Sequence, residues 1–148
     1  MITEKLQIYG DKENVRRVRE LLFKCLGVLN AEVTGTIVYT DKPDKVIRSD
    51  DKNSQVVINI EDKDSVSSGE KVFTYSFGDS RSDVVALNEQ KKENFTCFEL
   101  LSGVSMSRIF IADIHTYTAK QVLVCTAVLC AMGITAEKTV ETINGLLK

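Results

Sequence analysis

Leu6-Gln7-Ile8-Tyr9 alternates apolar and polar side chains and is cut off by Gly10, a pattern that predicts a short first strand. Val15, Val18, Leu21, Leu22, Cys25 and Leu26 then recur at three- and four-residue steps, one apolar face of a helix. Arg16, Arg17, Arg19 and Lys24 fall on its other side; Lys12 with Arg16 and Arg17 reads as an ordinary solvated face, with attraction of an anion to the helix N-terminus as the alternative. Asp11 or Asn14 is placed to cap the start of this helix, and Gly27 stands where a C-terminal cap belongs. A strand near Thr36–Tyr39 follows, after which Pro43, the single proline, breaks the pattern. Residues 41–54 are polar and charged and read as a loop.

Val56-Val57-Ile58 is a compact apolar run, as expected of a strand buried on both faces in a parallel sheet. Further short strands are predicted at Val72–Tyr75, Val84–Leu87, Phe95–Leu101 and Arg108–Ile111, separated by turns rich in Ser, Gly, Asp and Asn. Residues 118–132 are apolar nearly all round, which predicts a largely buried helix ended by Gly133. Thr135 then caps a final amphipathic helix carrying Val140, Ile143, Leu146 and Leu147. The order β-α-β, several strands, two helices predicts one α/β domain over residues 1–148, a mixed and largely parallel sheet flanked by helices.

Composition narrows the function classes. Nineteen Lys and Arg against twenty-one Asp and Glu give a net charge of −2, without the concentrated basic excess that a nucleic-acid or anionic-membrane surface needs. No apolar run is long enough to span a bilayer, and the first residues carry no signal-peptide core, so a cytoplasmic protein is expected. Cys25, Cys97, Cys125 and Cys130 form no CxxC pair and no Cys/His ligand spacing; they are expected as reduced, buried small hydrophobes. His115 is the only histidine, which excludes a His pair or triad within the chain, and no Gly-x-Ser-x-Gly elbow is present. Asn59, Glu61 and Asp62 form an acidic strand end, yet the spacing of a calcium loop is absent and no metal site is expected.

Several landmarks, in order, resemble the central domain of the Mur ligase family, the ATP-dependent amino-acid ligases that build the peptidoglycan precursor. Leu26-Gly27 followed by Thr34-Gly35-Thr36-Ile37-Val38-Tyr39 is similar to the stretch after the family's phosphate-loop helix. Val57-Ile58-Asn59-Ile60-Glu61-Asp62 resembles its strand ending in Asn-x-Asp-Asp, and Phe73–Gly78 followed by Asp83-Val84 resembles its tyrosine-glycine, aspartate-valine segment. Ile109-Phe110-Ile111, His115, an apolar helix and then Met132-Gly133-Ile134 is similar to its Gly-x-His-Asn-x-x-Asn-x-x-Ala-Ala module. The resemblance implies a P-loop-like fold and a vestigial nucleotide site built from Gly10, Lys12, Asn14, Asn59, Asp62 and His115.

The departures from that pattern fall on its chemistry. The family's Gly-x-x-Gly-Lys-Thr-Thr loop wraps phosphate with backbone N–H groups and a lysine. Here the turn is Gly10-Asp11-Lys12-Glu13-Asn14, with two carboxylates where phosphate would lie. Thr116 and Ala119 replace the asparagines of the histidine module, and Asp113 replaces its glycine. Residues 40–55 are too few for the family's segment that binds magnesium and carries a modified lysine. The expectation is therefore a pseudoenzyme: a central domain with its middle segment deleted, no catalytic residues and no cofactor, acting as a binding or assembly module for a protein partner or for itself. The alternative is an ATP-binding fragment of a Mur-type ligase that works with separate partner chains. An unrelated α/β domain would be favoured if the first strand did not pair in parallel with the Val56–Asn59 strand.

Overall fold

The computed structural model describes residues 6–32, 37–40, 55–65 and 71–148. The Thr34-Gly35-Thr36 stretch, the polar interval at 41–54 and most of the Ser65–Gly69 turn lie outside the described residues. Among the described residues, strands β1 (Leu6–Tyr9), β2 (Ile37–Thr40), β3 (Gln55–Asn59), β4 (Lys71–Phe77), β5 (Val84–Lys91), β6 (Phe95–Ser102) and β7 (Ser105–Ala112) form one sheet in sequence order. β1 to β5 are parallel neighbours, and β5, β6 and β7 form an antiparallel meander. β1 does not pair directly with the Val56–Asn59 strand, because β2 lies between them; all three nevertheless run in parallel.

Three helices, α1 (Lys12–Leu29), α2 (Ala119–Ala131) and α3 (Ala136–Leu147), share one core with a single face of the sheet. Leu21, Leu22, Leu123, Leu129 and Ile143 meet Val57, Tyr75, Phe98, Leu100 and Ile109 there. Strand alternation sends Val56 and Ile58 to the opposite face, where they cluster with Val72. All three residues of the Val56-Val57-Ile58 run are fully buried, so β3 is covered on both faces as its unbroken apolar sequence predicts.

Helix boundaries follow local chemistry. The Asp11 carboxylate accepts the Asn14 N–H at 3.2 Å and caps α1. The expected stop at Gly27 is corrected: α1 continues through Val28 and Leu29 and ends at Asn30, whose φ of 50° is left-handed. Asn30 donates its N–H to the Gly27 and Leu26 carbonyls, and an asparagine tolerates that conformation better than most side chains. α2 opens with reciprocal bonds between Thr118 and Gln121 and is buried on nearly every side. The Gln55 amide of β3 donates to the Ala131 carbonyl at 2.9 Å, satisfying one of the helix's last acceptors.

Two further devices fix the sheet. β4 and β5 are parallel although only residues 78–83 connect them, where such a crossover ordinarily needs a dozen residues or more. The connection is held by side chains: the Asp83 carboxylate accepts the Thr74 N–H at 2.7 Å, and Ser82 Oγ donates to Ser76 Oγ at 2.7 Å. On edge strand β7, Asn144 of α3 takes the place of a neighbouring strand. Its Oδ1 accepts the Phe110 N–H and its Nδ2 donates to the Arg108 carbonyl, each at 2.9 Å.

Candidate functional site

The parallel strands bring the turns after β1, β2 and β3 to one edge of the sheet, the edge where open α/β sheets bind ligands. Gly10, with φ of 143°, makes the turn from β1 into α1, a conformation that disfavours any other residue. The first turn of α1 is closed by its own side chains. Asp11 occupies the Asn14 N–H, and Glu13 is engaged by Arg16, which holds its carboxyl below the ordinary range. Lys12 is exposed. Asn14 Oδ1 accepts from Gln121 Nε2 at 2.9 Å, so the starts of α1 and α2 are tied together.

One turn further along α1, Arg17 enters the contact between α1 and the segment leading into α2. Its guanidinium stacks over the Tyr117 ring with Cζ 3.8 Å from the centroid, and its side chain is only 12% exposed. Arg17 Nη2 donates to the His115 carbonyl and to Thr116 Oγ1, the latter at 2.9 Å. Arg17 Nη1 pairs with Glu20 at 3.2 Å, and the Tyr117 hydroxyl donates to the same Glu20 oxygen at 3.0 Å. That hydrogen bond from Tyr117, with Lys24 and Arg17 nearby, lowers the Glu20 carboxyl; burial and Glu20 together raise the Tyr117 hydroxyl. Thr116 takes a left-handed φ of 60°, a conformation costly for a β-branched residue.

Of the six residues assigned to a nucleotide site, four are thus gathered along α1 and the start of α2: Gly10, Lys12, Asn14 and His115. His115 is joined through its backbone carbonyl, which accepts from Arg17. Asn59 and Asp62 lie at the same sheet edge, but β1 and β3 are two strand spacings apart, about 9 to 10 Å. The Asn59 Oδ1 accepts the Glu61 N–H at 3.0 Å, a bond that serves its own turn into the 3-10 helix Ile60–Ser65. Among the described residues no group of three or more His, Cys, Asp and Glu side chains is arranged to hold a metal. The reading of Arg17 as part of a solvated face is corrected, because Tyr117, Thr116 and the His115 carbonyl cover it. Arg17, Glu20, Tyr117 and Gln121 were the residues that sequence reasoning did not assign to the site.

A sequential parallel sheet with an antiparallel edge, and helices grouped over one face, define an α/β fold shared with Mur ligases. The chain superposes on the UDP-N-acetylmuramoylalanyl-D-glutamyl-2,6-diaminopimelate--D-alanyl-D-alanyl ligase of Acinetobacter baumannii with a TM-score of 0.67 and 10% identity, covering 94% of this chain and 45% of that one. A second structure of MurF from the same organism gives 0.65 and 10% identity over 94% of this chain and 44% of that one. A UDP-N-acetylmuramoyl-L-alanyl-D-glutamate--2,6-diaminopimelate ligase gives 0.52 and 14% identity over 75% of this chain and 28% of that one. The chain therefore spans less than half the length of the ligases it resembles. No protein-family model and no curated protein matches the sequence. No helix among the described residues is long and apolar enough to cross a membrane.

Proposed function

We propose that this chain is a non-catalytic Mur-ligase-like domain, cytoplasmic and shortened in its middle segment, that works as a binding or assembly module with a protein partner or with a second copy of itself. A role beside cell-wall precursor synthesis is the context that the likeness suggests. The observation that carries this reading is the Arg17–Tyr117 stack, closed by Glu20, Thr116 and the His115 carbonyl. Asn14 with Gln121, and Arg17 and Glu20 with Thr116 and Tyr117, bond one another at the start of α1 and α2. Asp11 occupies the Asn14 N–H at the anion-seeking end of α1 and adds a negative charge there, which weighs against a nucleoside triphosphate at this turn. The bulk of the domain's polar contacts at this edge serve its own packing.

The second reading, a nucleotide-binding fragment that acts with separate partner chains, is favoured by one feature. The Gly10 turn feeds a helix N-terminus at the carboxyl edge of parallel strands, with Lys12 exposed beside it. Thermal unfolding with and without millimolar Mg-ATP, ADP and a nucleotide-sugar cell-wall precursor separates the two. A ligand at a hundred times its dissociation constant adds about 2.7 kcal/mol, which raises the midpoint of a domain this size by about 5 to 10 °C. The binding-module reading expects no shift with any of the three. A shift with ATP that disappears in Lys12→Ala would overturn it. Self-association is read from light scattering at high concentration, where a strictly monomeric species removes the second-copy form of the proposal.

A further inference from the structure

On the sheet face turned away from the helices, β6 and β7 carry a small depression that the Mur-type edge does not involve. Phe95 pairs directly with Ala112, and Cys97 pairs with Phe110, so these four side chains share one face. The Phe95 and Phe110 rings meet across the diagonal with centroids 5.8 Å apart, tilted by 56°. Because a methyl group stands opposite Phe95, the rings are not covered, and a cavity of about 460 Å³ opens between Phe95, Phe110, Ala112, Asn94 and Lys148. Its volume falls in the range of small-molecule sites. The lining is apolar on its floor and polar at two points of its rim.

The rim carries one ammonium group. The Lys148 ammonium lies 5.9 Å from the Phe110 ring centroid, and no carboxylate among the described residues pairs with it. The neighbouring Lys91 and Asp113 neutralise each other in an ion pair, so Asp113 does not oppose an incoming anion. The Asn94 backbone carbonyl accepts the Asp113 N–H, which fixes this corner of the rim while its side-chain amide stays exposed.

We propose that this depression is a binding site for a small aromatic monocarboxylate. The aryl ring packs on Phe95 and Phe110 over Ala112, and the carboxylate faces the Lys148 ammonium with the Asn94 amide as a second donor. Aromatic pairs prefer the tilted and offset geometries that the two phenyl rings already present. Charge complementarity selects the acid over its neutral isostere: an exposed ion pair is worth about a two- to five-fold difference in affinity.

The test uses the full chain and two probes, phenylacetate and phenylacetamide, followed by saturation-transfer NMR and by titration of the Phe95 and Phe110 ring signals. The expected result is saturable binding of phenylacetate at millimolar concentration, with phenylacetamide about two- to five-fold weaker. Ala112→Leu fills the depression and abolishes binding of both probes. Lys148→Gln, at an exposed position that leaves folding intact, keeps ring binding and erases the preference for the acid. Equal binding of acid and amide to the unaltered chain overturns the proposal. So does unchanged phenylacetate binding in a folded Ala112→Leu variant, or no ring-signal shift at the highest soluble probe concentration.

Discussion

Replacing Arg17 with alanine removes one side chain that bridges segments ninety-eight residues apart in the chain. Three kinds of interaction go with it: hydrogen bonds to the His115 carbonyl and Thr116 Oγ1, an ion pair to Glu20, and stacking on Tyr117. Hydrogen bonds that involve a charged partner contribute about 1.5 to 3 kcal/mol when they are buried. Stacking on the ring adds about 0.5 to 1 kcal/mol, and the Glu20 pair adds less because its carboxylate is 34% exposed. These figures do not add, since water reaches the freed His115 carbonyl and Glu20 keeps Tyr117 and Lys24. The expected net loss is about 2 to 3 kcal/mol, which lowers the thermal midpoint by about 5 to 10 °C. Urea denaturation followed by far-UV circular dichroism measures it, with the slope against urea unchanged from the parent. Arg17→Lys should recover less than half of the loss, because a single ammonium cannot stack and fork at once. A loss below about 0.5 kcal/mol, the size of an ordinary surface substitution, refutes the account of Arg17 as the pin of the α1–α2 junction.

Thr116→Asn should stabilise the domain by about 1 kcal/mol, because an asparagine tolerates the left-handed conformation at φ 60° and retains an oxygen for Arg17; a lowered urea midpoint would contradict the backbone argument. Asn144→Ala frees the Phe110 N–H and Arg108 carbonyl at the sheet edge and should cost about 1 to 3 kcal/mol. Asn144→Asp should cost at least as much, since a carboxylate accepts the first bond and repels the second acceptor; a neutral Asp variant would show that the amide is not bridging the strand. Acid should destabilise the fold through carboxyls that are depressed in the native state. Glu20 lies below its ordinary 4.5, chiefly through the Tyr117 hydroxyl, and Asp79 lies at about 2, held chiefly by the Arg81 side chain. A depressed carboxyl stabilises above its unfolded value and loses that contribution as pH falls through the folded one, so stability should fall from about pH 4.5 toward pH 2. Glu20→Gln should flatten the upper part of that profile, and an unchanged pH dependence would remove Glu20 from the account.

The elements whose sequence pattern has a single physical reading were legible. The apolar Val56-Val57-Ile58 run was read as a strand covered on both faces and the all-round apolar stretch at 118–132 as a buried helix, and both are found so. Thr135 was the cap expected of the last helix and caps it in the structure, whereas the Thr118–Gln121 capping box of α2 was not read from the sequence. Gly27 misled because a glycine near a helix end is permissive rather than obligatory. The apolar stripe could continue to Leu29, and Asn30 supplied the left-handed cap. The short parallel crossover from β4 to β5 had no signal of this kind. Its feasibility depends on Thr74, Ser76, Ser82 and Asp83 bonding across the turn, and polar residues in a turn look the same whether or not they bond.

Arg17 illustrates why a site is harder to read than a fold. Hydrophobic periodicity assigns a residue to a face of its own helix, but says nothing about what a segment about a hundred residues later lays over that face. Arg17 lies four residues before the buried Leu21 and three after Asn14, so it belongs to the margin of the apolar stripe rather than to the middle of the polar face. A long cationic side chain at such a margin buries its stem and stacks its head on whatever aromatic ring arrives, and Tyr117 arrives from the segment before α2. The family resemblance directed attention to His115 and to the asparagines replaced by Thr116 and Ala119, two of which flank that ring in sequence. What it could not convey is that an arginine on α1 reaches over to bond Thr116. The packing of this edge is decided by that pairing, Arg17 with Tyr117 and Thr116, and a variant that separates them tests whether it holds α1 against the segment that leads into α2.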